Sequence, residues 1–195
     1  MRLEEVATIN TGLVTARKQA KLPNEKGIPY KVLNLKAINA KGYIEDKLIE
    51  EFNANEKIKH VYLTQKDDIV VRLTTPFTAV LIDEMHLDLV IPSHFVVIRA
   101  ERAKILPEYL YWLLNTDEVR QELQQNINST MIGTVKPMSY ASLEIDLIPT
   151  EAQVQISELY GVSKKELYLL DRLIGQKELY YKEAIKRIQK GMREK

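Results

Sequence analysis

Polar and basic side chains recur where apolar stretches of the chain end, and their types suit nucleic-acid binding. Arginine, lysine, serine and threonine contact phosphate oxygens, while arginine and asparagine also recognise the edges of guanine and adenine. The candidate DNA-binding residues are Thr11, Thr15, Arg17, Lys18, Asn34, Lys36, Arg72, Thr74, Thr75, Ser93, His94, Asn128, Ser129, Thr130 and Lys136. Taken singly, each is more typical of a solvated turn, so the prediction rests on their recurrence at predicted strand ends.

The residue patterns on which catalysis usually depends are absent from the sequence. Its seven glycines form no phosphate-binding loop, and there is no G-x-S-x-G motif. His60, His86 and His94 are not spaced as metal ligands, and there is no cysteine. Asp67 and Asp68 suggest a metal-dependent nuclease, but adjacent strand residues point to opposite faces, which favours a turn before a strand. We therefore predict no catalytic residue, no metal and no cofactor in this chain.

The composition indicates a folded protein of the cytoplasm. Hydrophobic residues make up 45% of the 195, a globular content, and the lack of cysteine suits a reducing compartment. No secretory leader and no membrane-spanning apolar run are expected. The formal net charge is only +1, but residues 11–40 contain six basic side chains and one acidic one, a local charge of +5. An anionic partner would therefore meet local basic patches.

Apolar periodicity predicts strands first and one long helix last, an α+β fold. The predicted strands are "IPYKVLNL" (28–35), "DIVVRL" (68–73), "TAVLID" (78–83), "HFVVIRA" (94–100) and "LEIDLI" (143–148). A helix is predicted over 106–127, with Pro107 in its first turn and a break near Asn115 to Asp117. The predicted domains are a β-rich domain with packed helices at 1–148 and a long coiled-coil helix at 149–195.

Pro149 ends the last predicted strand, and Thr150 with Gln153 three residues later is typical of a capping box that starts a helix. Apolar residues then recur at alternating three- and four-residue spacing, as in a coiled coil. The residues predicted to form the dimerisation seam are Ile156, Leu159, Tyr160, Leu167, Leu170, Ile174, Tyr181 and Ile188. Gly161 and Gly175 each cost a helix about 1 kcal/mol, so the sequence leaves open whether the helix is continuous or bends or breaks there. A seam of this length predicts a second helix as its partner.

In their order along the chain, these segments resemble the specificity subunit of type I restriction-modification systems. The segments that carry the resemblance are "LEEVATINTG", "YKVLNLKAIN" with "KGYI", "YLTQKDDIVVRLTTPFTAVLID", "VIPSHFVVIRA", "LPEYLYWLLNTDEVRQEL", "STMIGTVKPMSYASLEIDLIP" and "PTEAQVQI". Two positions depart from the family's pattern: Asp67 stands where glycine is frequent, and Ala152 where a second acid is usual.

The resemblance implies a target-recognition domain that reads one half of a bipartite DNA sequence, followed by a helix that sets the distance to a second such domain. The full-length family has two domains and two helices in one chain, whereas this sequence has one of each. We therefore expect a non-catalytic subunit that homodimerises through antiparallel helices and binds double-stranded DNA, methyltransferase (modification) subunits and restriction subunits. S-adenosylmethionine, ATP and magnesium are expected only in those partner subunits.

Two other functions fit the sequence. One is an adaptor whose coiled-coil helix recruits proteins and whose globular part binds no DNA. The other is a nuclease that uses Asp67 and Asp68.

Overall fold

The computed structural model describes residues 1–20, 27–125, 127 and 133–193. The chain divides into two compact units, Met1–Ser157 and Glu158–Lys195. This division lies about two helical turns beyond the predicted domain boundary at 148 and 149, because the first residues of the long helix pack with the first unit.

Most of the predicted strands belong to one four-stranded antiparallel sheet. Its strands are β1 (Ala7–Thr11), β4 (Ile69–Arg72), β5 (Ala79–Leu81) and β7 (Phe95–Ala100). Their order across the sheet is β1, β7, β4, β5. The strands predicted at 68–73, 78–83 and 94–100 are confirmed. β1 lies in a stretch for which the sequence predicted no strand.

The remaining strands form a three-stranded sheet. In it, β2 (Ile28–Val32) pairs antiparallel with β3 (Glu50–Ala54) and parallel with β6 (Leu89–Val90), which gives the order β3, β2, β6. The strand predicted at 28–35 is confirmed in its first part, and the chain turns after Val32.

Both faces of the inner strands β4 and β7 are buried, which explains why these two strands are apolar over most of their length rather than alternating. One face packs against helices α1 (Pro107–Leu113), α2 (Asp117–Gln125) and α3 (Pro137–Ala141). The opposite face carries Val70, Val80 and Val97, which pack with Leu33 and Ile38. The core therefore fixes the register of the strands, and with it the positions of the residues at their ends.

The predicted break within 106–127 is confirmed, since α1 ends at Leu113 and α2 begins at Asp117. The strand predicted at 143–148 is wrong. Leu143 and Ile145 hydrogen-bond with Leu3 and Met1, but only Arg2 and Glu144 form a bridge. The partner segment turns into a short helical turn at Leu3–Glu5, and is therefore too short to extend the pairing into a strand.

Helix α4 (Thr150–Arg193) begins close to the predicted residue but without the predicted capping box. The backbone N–H of Gln153 donates to the Pro149 carbonyl at 3.0 Å. The Gln153 side chain is buried, accepts a hydrogen bond from the Leu106 N–H at 3.0 Å and donates to the Ile148 carbonyl at 2.9 Å. It therefore serves peptide groups outside the helix, which its burial would otherwise leave unpaired.

Within the second unit α4 is helical through Gly161 and Gly175, so neither glycine breaks it, a question that the sequence left open. The seam residues Leu159, Leu167, Leu170, Ile174, Tyr181 and Ile188 are each at least 48% exposed. Ile156, which belongs to the first unit, is instead half-buried against the main core. Across the part of the chain that the structure describes, no helix is long and apolar enough to cross a membrane. The α+β fold with a long C-terminal helix is confirmed.

Candidate nucleic-acid interface

Several predicted DNA-binding residues gather at one edge of the four-stranded sheet. Thr11, the last residue of β1, is in register with Val96, and Arg72, the last residue of β4, is in register with Phe95 at the start of β7. Because these strands are antiparallel, the ends of β1 and β4 meet the start of β7. Thr11, Arg72 and His94 therefore lie at the same edge, which we call the recognition edge together with the residues added below.

Ser93 joins the recognition edge through a close backbone approach at Gly12. The Gly12 N–H donates to the Phe95 carbonyl at 3.1 Å, and the Ser93 N–H donates to the Leu13 carbonyl at 2.8 Å. A Cβ atom on Gly12 would lie 2.1 Å from the Pro92 carbonyl oxygen, so only glycine fits. This contact fixes Ser93 beside the end of β1.

Thr74, Thr75 and Lys136 lie at the same edge, on segments that follow β4 and precede α3. The Phe77 N–H donates to the Thr74 carbonyl at 2.9 Å, which closes a turn that contains a cis peptide bond between Thr75 and Pro76. Thr74 also forms a bridge with Thr134, and Lys136 follows two residues later as the residue that precedes α3.

Asn34 and Lys36 lie on a turn that is linked to Arg72. The Asn34 carboxamide oxygen accepts hydrogen bonds from the Lys36 and Ala37 N–H groups, both at 2.9 Å, and its nitrogen donates to the Leu48 carbonyl at 2.6 Å. The Asn34 side chain is thus engaged within the protein and shapes the turn, while Lys36 is exposed on it. Arg72 Nη1 donates to the Ile38 carbonyl at 3.4 Å, which connects this turn to the recognition edge.

Thr15, Arg17 and Lys18 lie beside the three-stranded sheet. They occupy a helical turn at Thr15–Arg17 and the residue after it, and the Lys18 carbonyl accepts the Asn55 N–H at 2.8 Å. The Lys18 ammonium group pairs with Glu56 and lowers the pKa of that carboxyl group through a hydrogen bond and its positive charge. This pair reduces the charge that Lys18 offers to an anion, whereas Arg17 is exposed. Asn128, Ser129 and Thr130 lie outside the described residues.

Arg72 and His94 interact electrostatically at the recognition edge. Burial lowers the pKa of His94, and the positive charge of Arg72 lowers it further, so the imidazole is neutral at neutral pH. Among the described residues no carboxylate pairs with Arg72. By contrast, Arg99 and Arg102 pair with Asp68 and Asp67. The edge therefore presents a cation without a counter-charge beside a neutral donor and acceptor.

Sequence reasoning missed Thr78, which is fully buried just before β5 and whose carbonyl accepts the Arg72 N–H at 3.1 Å. The only feature of the sequence that could have indicated Thr78 is its position between the turn after β4 and the start of β5. The aspartates that suggested a nuclease have other roles, since Asp68 is buried against Arg99 and Asp67 binds Arg102 at 2.9 Å. The described residues contain no group of three or more potential metal ligands.

The fold is that of solved specificity subunits. It matches the HsdS subunit from Thermoanaerobacter tengcongensis with a TM-score of 0.67 at 20% identity, over 89% of this chain and 43% of that one. It also matches a chain from a structure described as the basis of complex assembly and conformational transition of the type I R-M system. That match has a TM-score of 0.67 at 19% identity and covers 89% of this chain and 43% of that one.

A third match is the type I restriction-modification S subunit from M. genitalium, with a TM-score of 0.57 at 14% identity, over 89% of this chain and 41% of that one. No protein-family model matches the chain, and no curated protein matches it in sequence. The chain spans less than half the length of each of these structures.

Proposed function

We propose that this chain is a DNA sequence-specificity subunit of a type I restriction-modification complex, and that its first unit reads one half of a bipartite target. The observation that carries the proposal is the recognition edge, on a fold shared with solved specificity subunits. There, polar residues from four separate segments of the chain converge: Thr11, Arg72, Thr74, Thr75, Ser93, His94 and Lys136. Residues of these types bind phosphates and base edges.

The proposed assembly is a homodimer. The chain covers 43% of the subunit that it matches, and one exposed apolar seam runs along α4. Exposed apolar surface of this extent is typical of a protein interface, and a second copy of α4 presents the same seam. Antiparallel pairing would relate two first units by a twofold axis, so the target would be palindromic and interrupted.

The partners in this proposal supply the chemistry. Methyltransferase and restriction subunits would bind S-adenosylmethionine, ATP and magnesium, while this chain supplies the DNA sequence preference in the cytoplasm. The chain itself is proposed to be non-catalytic, which fits the engagement of Asp67 and Asp68 by arginines.

The test is selection of binding sites by the full-length chain from a pool of randomised duplex DNA at low salt. We expect enrichment of an interrupted palindrome, with an affinity that falls as salt rises because phosphate contacts release counterions. Enrichment of no sequence would contradict the proposal.

The second candidate function is a coiled-coil adaptor that binds no DNA, which the exposed seam of α4 favours by itself. Changing Arg17 and Lys18 together to alanine separates the two functions, because Arg17 is an exposed cation of the basic segment at 11–40. Weaker DNA binding supports the specificity subunit. Unchanged DNA affinity of the assembled complex would favour the adaptor or shift the contact surface of this chain elsewhere, to the recognition edge. Selection from the random pool by this chain alone then decides between these two.

A further inference from the structure

Buried polar atoms without hydrogen-bond partners concentrate at the recognition edge. Among the described residues there are four such side-chain atoms, and three of them are Arg72 Nε, Thr78 Oγ1 and His94 Nε2. The fourth is Arg120 Nε. A buried donor or acceptor without a partner destabilises a fold, so native proteins keep few of them. Their concentration at one place points to a group that the free chain lacks.

Backbone hydrogen bonds hold these three residues together. The Arg72 N–H donates to the Thr78 carbonyl at 3.1 Å, and the adjacent Leu73 N–H donates to the His94 carbonyl at 3.1 Å. Arg72 is also close enough to His94 for its charge to lower the histidine pKa. The three side chains thus stand on the end of β4, the start of β5 and the start of β7.

Arg72 differs from the arginine at the other end of the same strand pair. Arg99 of β7 binds both carboxylate oxygens of Asp68, at 2.8 and 3.0 Å. The only hydrogen bond that Arg72 donates from its side chain within the described residues is the 3.4 Å contact with the Ile38 carbonyl. A half-buried guanidinium group without a carboxylate favours a ligand rich in hydrogen-bond acceptors.

We infer that Arg72 and His94 form a base-reading pair that recognises a guanine in the half-site, an inference that rests on the proposed function. Arginine binds the O6 and N7 acceptors of guanine with two hydrogen bonds, and the neutral imidazole of His94 supplies one further donor or acceptor. Both side chains keep part of their surface exposed. A rotamer change, which is common when interfaces form, brings the shielded nitrogens to the base.

The anchoring of Arg72 favours a base over a phosphate. Its guanidinium group is half-buried and its Nη1 donates to the Ile38 carbonyl at 3.4 Å, so its surroundings limit the directions in which a rotamer change can turn it. A phosphate requires a positive charge and little direction, which an exposed lysine supplies equally well. The planar fork of arginine instead matches the two acceptors on the edge of a guanine.

The test compares the sites that the wild-type chain and its Arg72→Lys and His94→Gln variants select from randomised duplex DNA. Arg72→Lys keeps the charge and removes the fork, so we expect its guanine preference at one position of the half-site to fall by about 5- to 150-fold. His94→Gln is expected to weaken the preference at the same position. Arg102→Lys, at an exposed arginine paired with Asp67 and Glu108, should select the wild-type sequence.

An unaltered sequence preference in Arg72→Lys would overturn the inference, and the unpartnered atoms would then be satisfied by water. Equal weakening for all sequences would also overturn it, since that is the signature of a phosphate contact. Selection of no sequence by the wild-type chain would instead overturn the proposed function and the inference with it.

A second measurement needs no variant and therefore does not depend on how the variants fold. Replacing the guanine in the selected duplex by 7-deazaguanine removes the N7 acceptor. The wild-type chain should then bind more weakly by about 5-fold or more, the lower end of the expected discrimination. Unchanged affinity after replacement of every guanine of the half-site in turn would contradict the inference.

Discussion

Arg99 donates hydrogen bonds to both oxygens of the buried Asp68 carboxylate, from Nε at 2.8 Å and from Nη2 at 3.0 Å. The Asp68 side chain is 3% exposed and also accepts the Gln65 N–H at 2.9 Å. Arg99 extends further to the Leu63 carbonyl at 3.2 Å. This pair links the last residues of β7 to the segment that precedes β4. It lies at the end of these strands that is opposite the recognition edge.

Replacing Asp68 by asparagine should destabilise the first unit by about 3 kcal/mol, because the partner charge of a buried pair is left without compensation. Asp67→Asn is the matched control. Its pair with Arg102 is exposed and contributes less than about 1 kcal/mol, and asparagine tolerates the positive φ of 66° at this position. Urea unfolding of the two variants measures the difference, and equal losses would contradict the structural role of Asp68.

Thr78→Val should raise the free energy of unfolding by about 1 kcal/mol, since it removes a buried hydroxyl group that has no partner and keeps the side-chain volume. Thr64 is equally buried, but its hydroxyl donates to the His86 carbonyl at 2.6 Å and accepts the Leu89 N–H at 2.9 Å. Thr64→Val should therefore lower the stability by about 1–3 kcal/mol. The two denaturation midpoints should move in opposite directions, and a loss of stability in Thr78→Val would show that the hydroxyl is satisfied.

Gln153→Ala should lower the stability of the first unit by about 1–3 kcal/mol, because it leaves the Leu106 N–H and the Ile148 carbonyl without partners. Gln155→Ala is the matched control, since Gln155 is exposed on the same turn of α4. Thermal unfolding of both variants tests the prediction. If the chain is a specificity subunit, Gln153→Ala should also broaden the spacing between selected half-sites while the bases preferred within each half-site stay the same.

Light scattering at tens of micromolar should find the wild-type chain at twice its monomer mass, because α4 exposes an apolar seam. Leu170→Glu places a charge in that seam and should give a monomer. Leu169→Glu changes a neighbour of similar exposure that lies outside the seam, and should leave the dimer intact. A monomeric wild-type chain would contradict the homodimer.

Protonation of His94 should lower the free energy of unfolding in mild acid. Burial and the charge of Arg72 lower its pKa below the usual value of 6.5, so the unfolded chain binds a proton more readily than the folded one. This contribution is therefore complete above about pH 6.5 and is lost as the pH falls from there to the folded-state pKa. The decrease between pH 7.5 and 5.5, measured by urea unfolding, should be smaller in His94→Gln. The same decrease in the variant would exclude His94 as its source.

The sequence predicted elements whose signals are local. Three strands of the four-stranded sheet, the division between α1 and α2, and the long C-terminal helix follow from apolar periodicity and from Pro107 and Pro149. The predictions that failed rested on local signals that contacts with distant residues override. "LEIDLI" alternates as a strand does, but it meets only a short N-terminal segment, and Gln153 leaves the predicted capping box for the Leu106 N–H, 47 residues away.

By itself, then, the sequence determined the fold class, most of the elements and the kinds of side chain available for binding. Only the tertiary structure decided which of these side chains act together. It brought Thr11, Arg72 and His94 to one edge, engaged Asn34 in a turn and placed Lys18 against Glu56. It also paired Asp68 with Arg99, 31 residues away along the chain. The physical reason is that propensity and periodicity act over a few neighbouring residues, whereas charge pairing and burial depend on strand order and register, which the packed core fixes.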